Sequence, residues 1–198
     1  YHKNTLVEEH IAGIPGDVFL EEYLPLPETN KIRIAKEFVK FNERCFARLL
    51  GDMRSYNFVI DITPDIEDYQ YRLRAIDFDQ QSYEGKKNLY LPQFYRENYE
   101  YVELVLKILS PEVIEQYQVE EQTAMAYRAL TGRKQLLELL NIMIKDELSE
   151  FHKIKMLREE LNEHFNNKYF SKCSTMGSIV MRQLKLVLQK HLQQIIPS

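Results

Sequence analysis

No apolar run in this chain of 198 residues reaches the roughly 18 to 20 residues that a membrane-spanning helix needs. No apolar stretch follows Tyr1 to Thr5 either, so the start does not read as a signal peptide. Cysteine is scarce: Cys45 and Cys173 are the only two, far apart and outside any Cys-x-x-Cys spacing. They read as reduced thiols, which points to a cytoplasmic protein. A basic excess is also missing, with 26 lysines and arginines against 30 acids and a net charge of −4. That argues against a nucleic-acid partner, which selects for a positive face or stripe. His2, His10, His152, His164 and His191 are scattered, with no pair at ligand spacing, so a zinc site is not expected. There is no internal repeat, no low-complexity tract and no linker long enough to divide domains.

What is present is the composition of a folded chain, with 44% hydrophobic and 28% charged residues. The chain opens on Tyr1 rather than Met, as a fragment of a longer protein would. Leu6 to Ile14, the turn at Pro15-Gly16 and the apolar run Val18-Phe19-Leu20 predict a strand–turn–strand hairpin that ends at Pro25-Leu26-Pro27. Thr29 is the expected cap of a helix whose apolar face is Ile34, Phe38, Phe41, Cys45 and Leu49, ending near Leu50-Gly51. Phe58-Val59-Ile60 and Tyr71 to Ile76 predict two short strands, and Asp77 to Leu91 a loop. From Pro92 onward the pattern is helical. Pro92 and Pro111 suit first-turn positions, and Gly132 separates two helices. Ser149 is the expected cap of a helix faced by Ile154, Leu157, Leu161 and Phe165 and broken at Asn166-Asn167. A last helix, with apolar residues on two sides, is predicted from about Thr175 to Ile195.

The segment that bears chemistry follows the first long helix. Asp52 and Asn57 stand as Asp-x4-Asn directly before an apolar strand, and the next strand ends in Asp77-Phe78-Asp79. Phosphoryl transfer needs such groups: a carboxylate to take or orient the proton of the attacking hydroxyl, and an amide and a second carboxylate to hold Mg²⁺ against phosphates.

This order resembles the catalytic loop and metal-binding Asp-Phe-Gly segment of the protein-kinase-like superfamily. The opening Gly51-Asp52 is similar to that of aminoglycoside-type phosphotransferases and phosphoinositide lipid kinases. Val18 to Pro25 resembles the last strand of the N-lobe and its hinge. The resemblance implies an α+β, mostly α fold: residues 1–27 as the end of an N-lobe and hinge, and residues 28–198 as a helical C-lobe with a small β-element, the N-lobe being largely absent. It implies Asp52 as catalytic base, Asn57 and Asp77 as metal ligands, and Glu22 and Leu24 as hinge contacts to adenine. It also implies Mg²⁺ and ATP as cofactors and a hydroxyl acceptor as second substrate. The missing N-lobe would be supplied by a preceding segment or a partner chain. The chain departs from the family in several places. Asp79 replaces the glycine of Asp-Phe-Gly, and Leu50 and Gly51 replace the usual histidine or arginine. A longer loop around Pro64 to Tyr69 separates Asn57 from Asp77, and no Ala-Pro-Glu segment follows. No Gly-rich phosphate loop or strand lysine precedes Val18.

Those departures motivate a second reading, a pseudokinase or helical interaction domain without catalysis. Other candidates have plain structural readings. The acids Asp61, Asp65, Glu67 and Asp68 lack Ca²⁺-loop spacing and read as a solvated loop. Cys45 lies on an apolar helix face and reads as core. Tyr90, Tyr95, Tyr99 and Tyr101 line a groove or pack on the next helix, and Lys86-Lys87 beside Gly85 reads as a solvated pair that can meet an anion.

Overall fold

The computed structural model describes residues 12–66, 68–145 and 149–195. Most of them are helical, around one three-stranded antiparallel sheet of order β1-β2-β3. Strand β1 is only Ile14–Pro15, β2 is Phe58–Pro64 and β3 is Tyr69–Ala75. Leu6 to Ala12 of the expected hairpin falls almost wholly outside the described residues, and Ile14 pairs with Ile60 of β2 rather than with the segment after Gly16.

That segment is a correction to the sequence reading. Gly16–Val18 forms the short helix α1, which continues as a π-helical turn over Phe19–Tyr23. Val18-Phe19-Leu20 is β-like in composition, but the apolar residues Phe19, Leu20, Tyr23 and Leu24 recur at helical spacing. Winding the segment into a helix buries Phe19, Leu20 and Leu24 together. Gly16 lies where a Cβ would come within 2.4 Å of the Phe58 ring, so only glycine lets α1 start this close to β2.

Helix α2, Lys31–Arg48, follows the predicted face: Ile34, Phe38, Phe41 and Cys45 are all buried. Its cap is Asn30, whose side chain accepts from the Arg33 amide at 3.1 Å. Thr29 is not the cap because its hydroxyl donates to the Tyr23 carbonyl at 2.6 Å. After the sheet come α3 (Tyr99–Ile108), α4 (Pro111–Thr131), α5 (Arg133–Ile144), α6 (Phe151–His164) and α7 (Met176–Ile195). Pro111 opens α4 and Gly132 divides α4 from α5, as the sequence predicts. Ser149 donates to the Tyr83 carbonyl at 3.4 Å, and Glu150 occupies the cap position of α6 instead. Gly177 lets α7 cross α5 closely; a Cβ there would sit 2.2 Å from the Met143 backbone.

One core joins Phe19, Leu20 and Leu24 to α2, the inner face of the sheet and α3. Packing therefore runs continuously across residue 27. A second core joins Phe46 and Leu49 at the end of α2 to α5, α6 and α7. Among the described residues, the outer edge of β3 is closed by side chains and not by a fourth strand. Glu37 Oε1 accepts from the Leu73 amide at 3.1 Å, and Arg44 Nη2 donates to the Leu73 carbonyl at 3.0 Å. No helix among the described residues is long and apolar enough to cross a membrane.

Candidate active site

The turn from α2 into β2 carries two left-handed residues, Leu49 at φ 50° and Asp52 at φ 55°. Aspartate tolerates that region better than most residues, whereas leucine is held there at a cost by complete burial of its side chain. The Asp52 amide donates to Tyr95 Oη at 3.0 Å and to the Leu89 carbonyl at 3.3 Å, which fixes the turn against the loop before α3.

Asn57 locks the turn from the other side. Its amide nitrogen donates to the Asp52 carbonyl at 2.7 Å and to the Asp52 carboxylate at 3.4 Å. This explains the Asp-x4-Asn spacing: the intervening residues make one tight loop, with the Asn57 amide donating to the Arg54 carbonyl at 2.8 Å. Beyond the ladder of β2 and β3, the Ile76 amide donates to the Asn57 carbonyl at 3.1 Å. That bond delivers Asp77 beside the Asn57 end of the hairpin. Asp77 then accepts from the Asp79 amide at 3.2 Å, starting a turn.

The electrostatics agree with this crowding. Burial raises the Asp52 carboxyl above the usual range; Arg54 pulls it back, and Asp77 and Glu97 push it up. Asp79 is raised by desolvation, then by Asp77 and Asp52. Asp52, Asp77 and Asp79 thus feel one another across the loop ends. Arg54 Nε sits 3.2 Å from Asp52 Oδ1 and 3.7 Å from Glu97, with its guanidinium against the Tyr95 ring. A shallow cavity of about 200 Å³ opens here, lined by Gly51, Asp52, Arg54, Gln80, Glu84 and Tyr95. Among the described residues, no group of three or more His, Cys, Asp or Glu side chains is close enough to hold a metal ion by itself.

Arg54 is the site residue that motif reading missed, and Tyr95 is the one of four candidate groove tyrosines that lines the cavity. Arg54 stands two positions after Asp52, a signal that was readable; nothing local marks Tyr95 among its neighbouring tyrosines. Of those, Tyr90 and Tyr101 are buried packing residues and Tyr99 is exposed.

Glu22 and Leu24 lie away from a strand geometry. The Leu24 amide donates to the Phe19 carbonyl at 2.8 Å and its side chain is buried, while Glu22 is exposed on the helical turn. The expected hinge strand is therefore corrected to a helical turn whose Leu24 N–H is already used. In the acidic loop, Asp65 and Asp68 pair with Arg33 at 3.6 and 3.4 Å, and Glu67 lies outside the described residues. The Lys87 amide donates to Glu160 at 2.6 Å, which ties that loop to α6.

No family model, curated protein or solved structure matches this chain.

Proposed function

We propose that this chain is the catalytic part of a kinase-like phosphotransferase that uses Mg²⁺ and ATP on a hydroxyl acceptor. The observation that supports it is the Asp52–Asn57 hydrogen bond in the turn before β2, with Asp77 placed just beyond the Ile76–Asn57 backbone bond that ends the β2–β3 pairing. Mutually repelling carboxylates beside an amide are a donor set suited to Mg²⁺, which commonly takes one or two carboxylates and completes its shell with water and phosphate. Asn57 and Asp77 would hold the ion. With its nitrogen committed to Asp52, Asn57 has its amide oxygen left for a cation. When bound, Mg²⁺ neutralises charge on the phosphate oxygens. Asp52 would accept the acceptor's proton, and its raised pKa makes it a stronger base than an ordinary carboxylate. Arg54 holds the Asp52 carboxylate in place. The Leu24 N–H is already used within its helical turn, and no adenine-binding group is assigned.

A second reading, a helical interaction domain, rests on a different feature. An apolar groove of about 380 Å³ lies between α4, α5 and α7, walled by Leu136, Leu137, Leu140, Met181, Leu184 and Leu188.

Thermal shift with ATP, with and without Mg²⁺, separates the two. The enzyme reading expects a Mg²⁺-dependent rise in Tm that Asp77→Ala removes, and loss of phosphate transfer in Asp52→Ala. No shift with the intact chain would overturn it and leave the groove as the feature to pursue.

A further inference from the structure

A second cavity, of about 350 Å³, lies between α2 and the outer edge of β3. Arg44, Arg48, Arg72 and Arg74 line it, with Phe41 and Phe78 among its apolar walls and no carboxylate in the lining. The pattern that builds it is simple. Arg44 and Arg48 are four apart on one face of α2, and Arg72 and Arg74 are two apart on one face of β3.

Nearby acids cover only part of this charge. Glu37 pairs with Arg44 at 2.6 Å and lies 3.8 Å from Arg72. Glu121 reaches Arg44 at 3.3 Å, Arg72 at 3.8 Å and Arg128 at 2.6 Å. Asp61 pairs with Arg74 at 3.0 Å. Five arginines thus face three carboxylates, a surplus of two positive charges in a chain of net charge −4. Arg48 donates its Nε to the Arg44 carbonyl at 2.9 Å and has no carboxylate within ion-pair distance among the described residues. Arg44, more than nine-tenths buried, holds its Nη1 3.3 Å from Glu121 Oε2, an ion pair without hydrogen-bond geometry. Burial, joined by repulsion from Arg44 and Arg128, lowers the Arg48 pKa below the usual range. An anion in the cavity would offset the surplus and give Arg48 a counter-ion.

We infer that the cavity bounded by Arg44, Arg48, Arg72 and Arg74 is a binding site for a phosphoryl group. Guanidinium forks match phosphate oxygens in pairs, and a charge surplus of two suits a dianion better than a single carboxylate. Phe41, Leu73, Ala75 and Phe78 give the remaining volume an apolar wall that can take the organic part of a phosphomonoester. The site is separate from the Asp52 cavity, shares no lining residue with it, and does not depend on a metal.

The test is calorimetric titration of the intact chain with inorganic phosphate and with phenyl phosphate, in EDTA at constant ionic strength. EDTA removes any binding through a metal at Asn57 and Asp77, so failure of the phosphotransferase reading leaves this result untouched. Saturable binding with one site per chain is expected, weakened about tenfold in Arg48→Gln and in Arg74→Gln and unchanged in Lys172→Gln, a remote exposed cation. Tighter binding of phenyl phosphate assigns a phosphomonoester, and equal binding assigns free phosphate; either supports the site. Should Arg48→Gln fail to fold, Arg48→Lys keeps the charge, loses the fork and is expected to weaken binding in the same direction. Absence of saturable binding, or equal weakening by Lys172→Gln, would overturn the inference.

Discussion

At Asp52 the backbone and the side chain are both held away from their most comfortable states. The residue is left-handed at φ 55°, and its carboxyl is raised mainly by desolvation. A carboxyl whose folded pKa is raised weakens the native state when charged. Its contribution is most unfavourable above the folded pKa and disappears as pH falls through the raised value and below the unfolded one. Asparagine keeps the shape, suits the left-handed region and carries no charge. The lost ion pair with Arg54 is a half-exposed one, worth little, and Arg54 keeps Glu97. Asp52→Asn is therefore expected to raise Tm at pH 7 by about 2–4 °C, with the gain gone at about pH 3, below the unfolded-state pKa. Scanning calorimetry at both pH values checks this; a destabilised Asp52→Asn would show that the carboxylate serves the fold. Asp52 and Asn57 were legible at this scale because a short loop between helix and strand brings such a pair into contact. Tyr95 was not, because only the fold carries it to the Asp52 amide.

Elements differ in how openly the sequence declares them. Helix α2 was legible because its buried positions repeat at helical spacing over 18 residues. The turn at Phe19–Tyr23 was misread because the short apolar run Val18-Phe19-Leu20 carries too few repeats to separate helix from strand, and residue type then points the wrong way. The edge of β3 was hidden altogether. Its finishing groups, Glu37 and Arg44, sit on α2 and look like ordinary charges of an amphipathic helix. They are instead buried and satisfy both polar groups of Leu73, in place of a neighbouring strand. Arg44→Ala would leave Glu37 with only the 3.8 Å ion pair to Arg72, remove one of the partners of Glu121 and leave the Leu73 carbonyl without its donor. A loss of about 3–5 kcal/mol is expected in urea unfolding. A loss under about 1 kcal/mol, the scale of an exposed pair, would mean that the edge is held by the β2 ladder alone.

Across the whole molecule, α2 belongs to both main cores: Phe38 and Phe41 to the one with the sheet, Phe46 and Leu49 to the one with α5, α6 and α7. It also brings the Asp52 turn and the arginine cavity to opposite uses of its C-terminal half. Cys45 lies at this junction with no exposed surface, and burial pushes its thiol up to about 12. Thiolate is the reactive form, so Cys45 is inert while α2 stays packed. Cys173 is also buried with a raised pKa, but it sits in the short connection before α7, its thiol donating to the Ser178 carbonyl at 3.5 Å. Such a connection opens more readily than a central helix. Iodoacetamide labelling across a urea series is expected to modify Cys173 first, and Cys45 only in step with loss of helical circular dichroism. Mass spectrometry of the two cysteine peptides reads each rate separately. If Cys45 were labelled ahead of the main transition, α2 would be opening independently of its two cores, and the shared helix would not be what unites them.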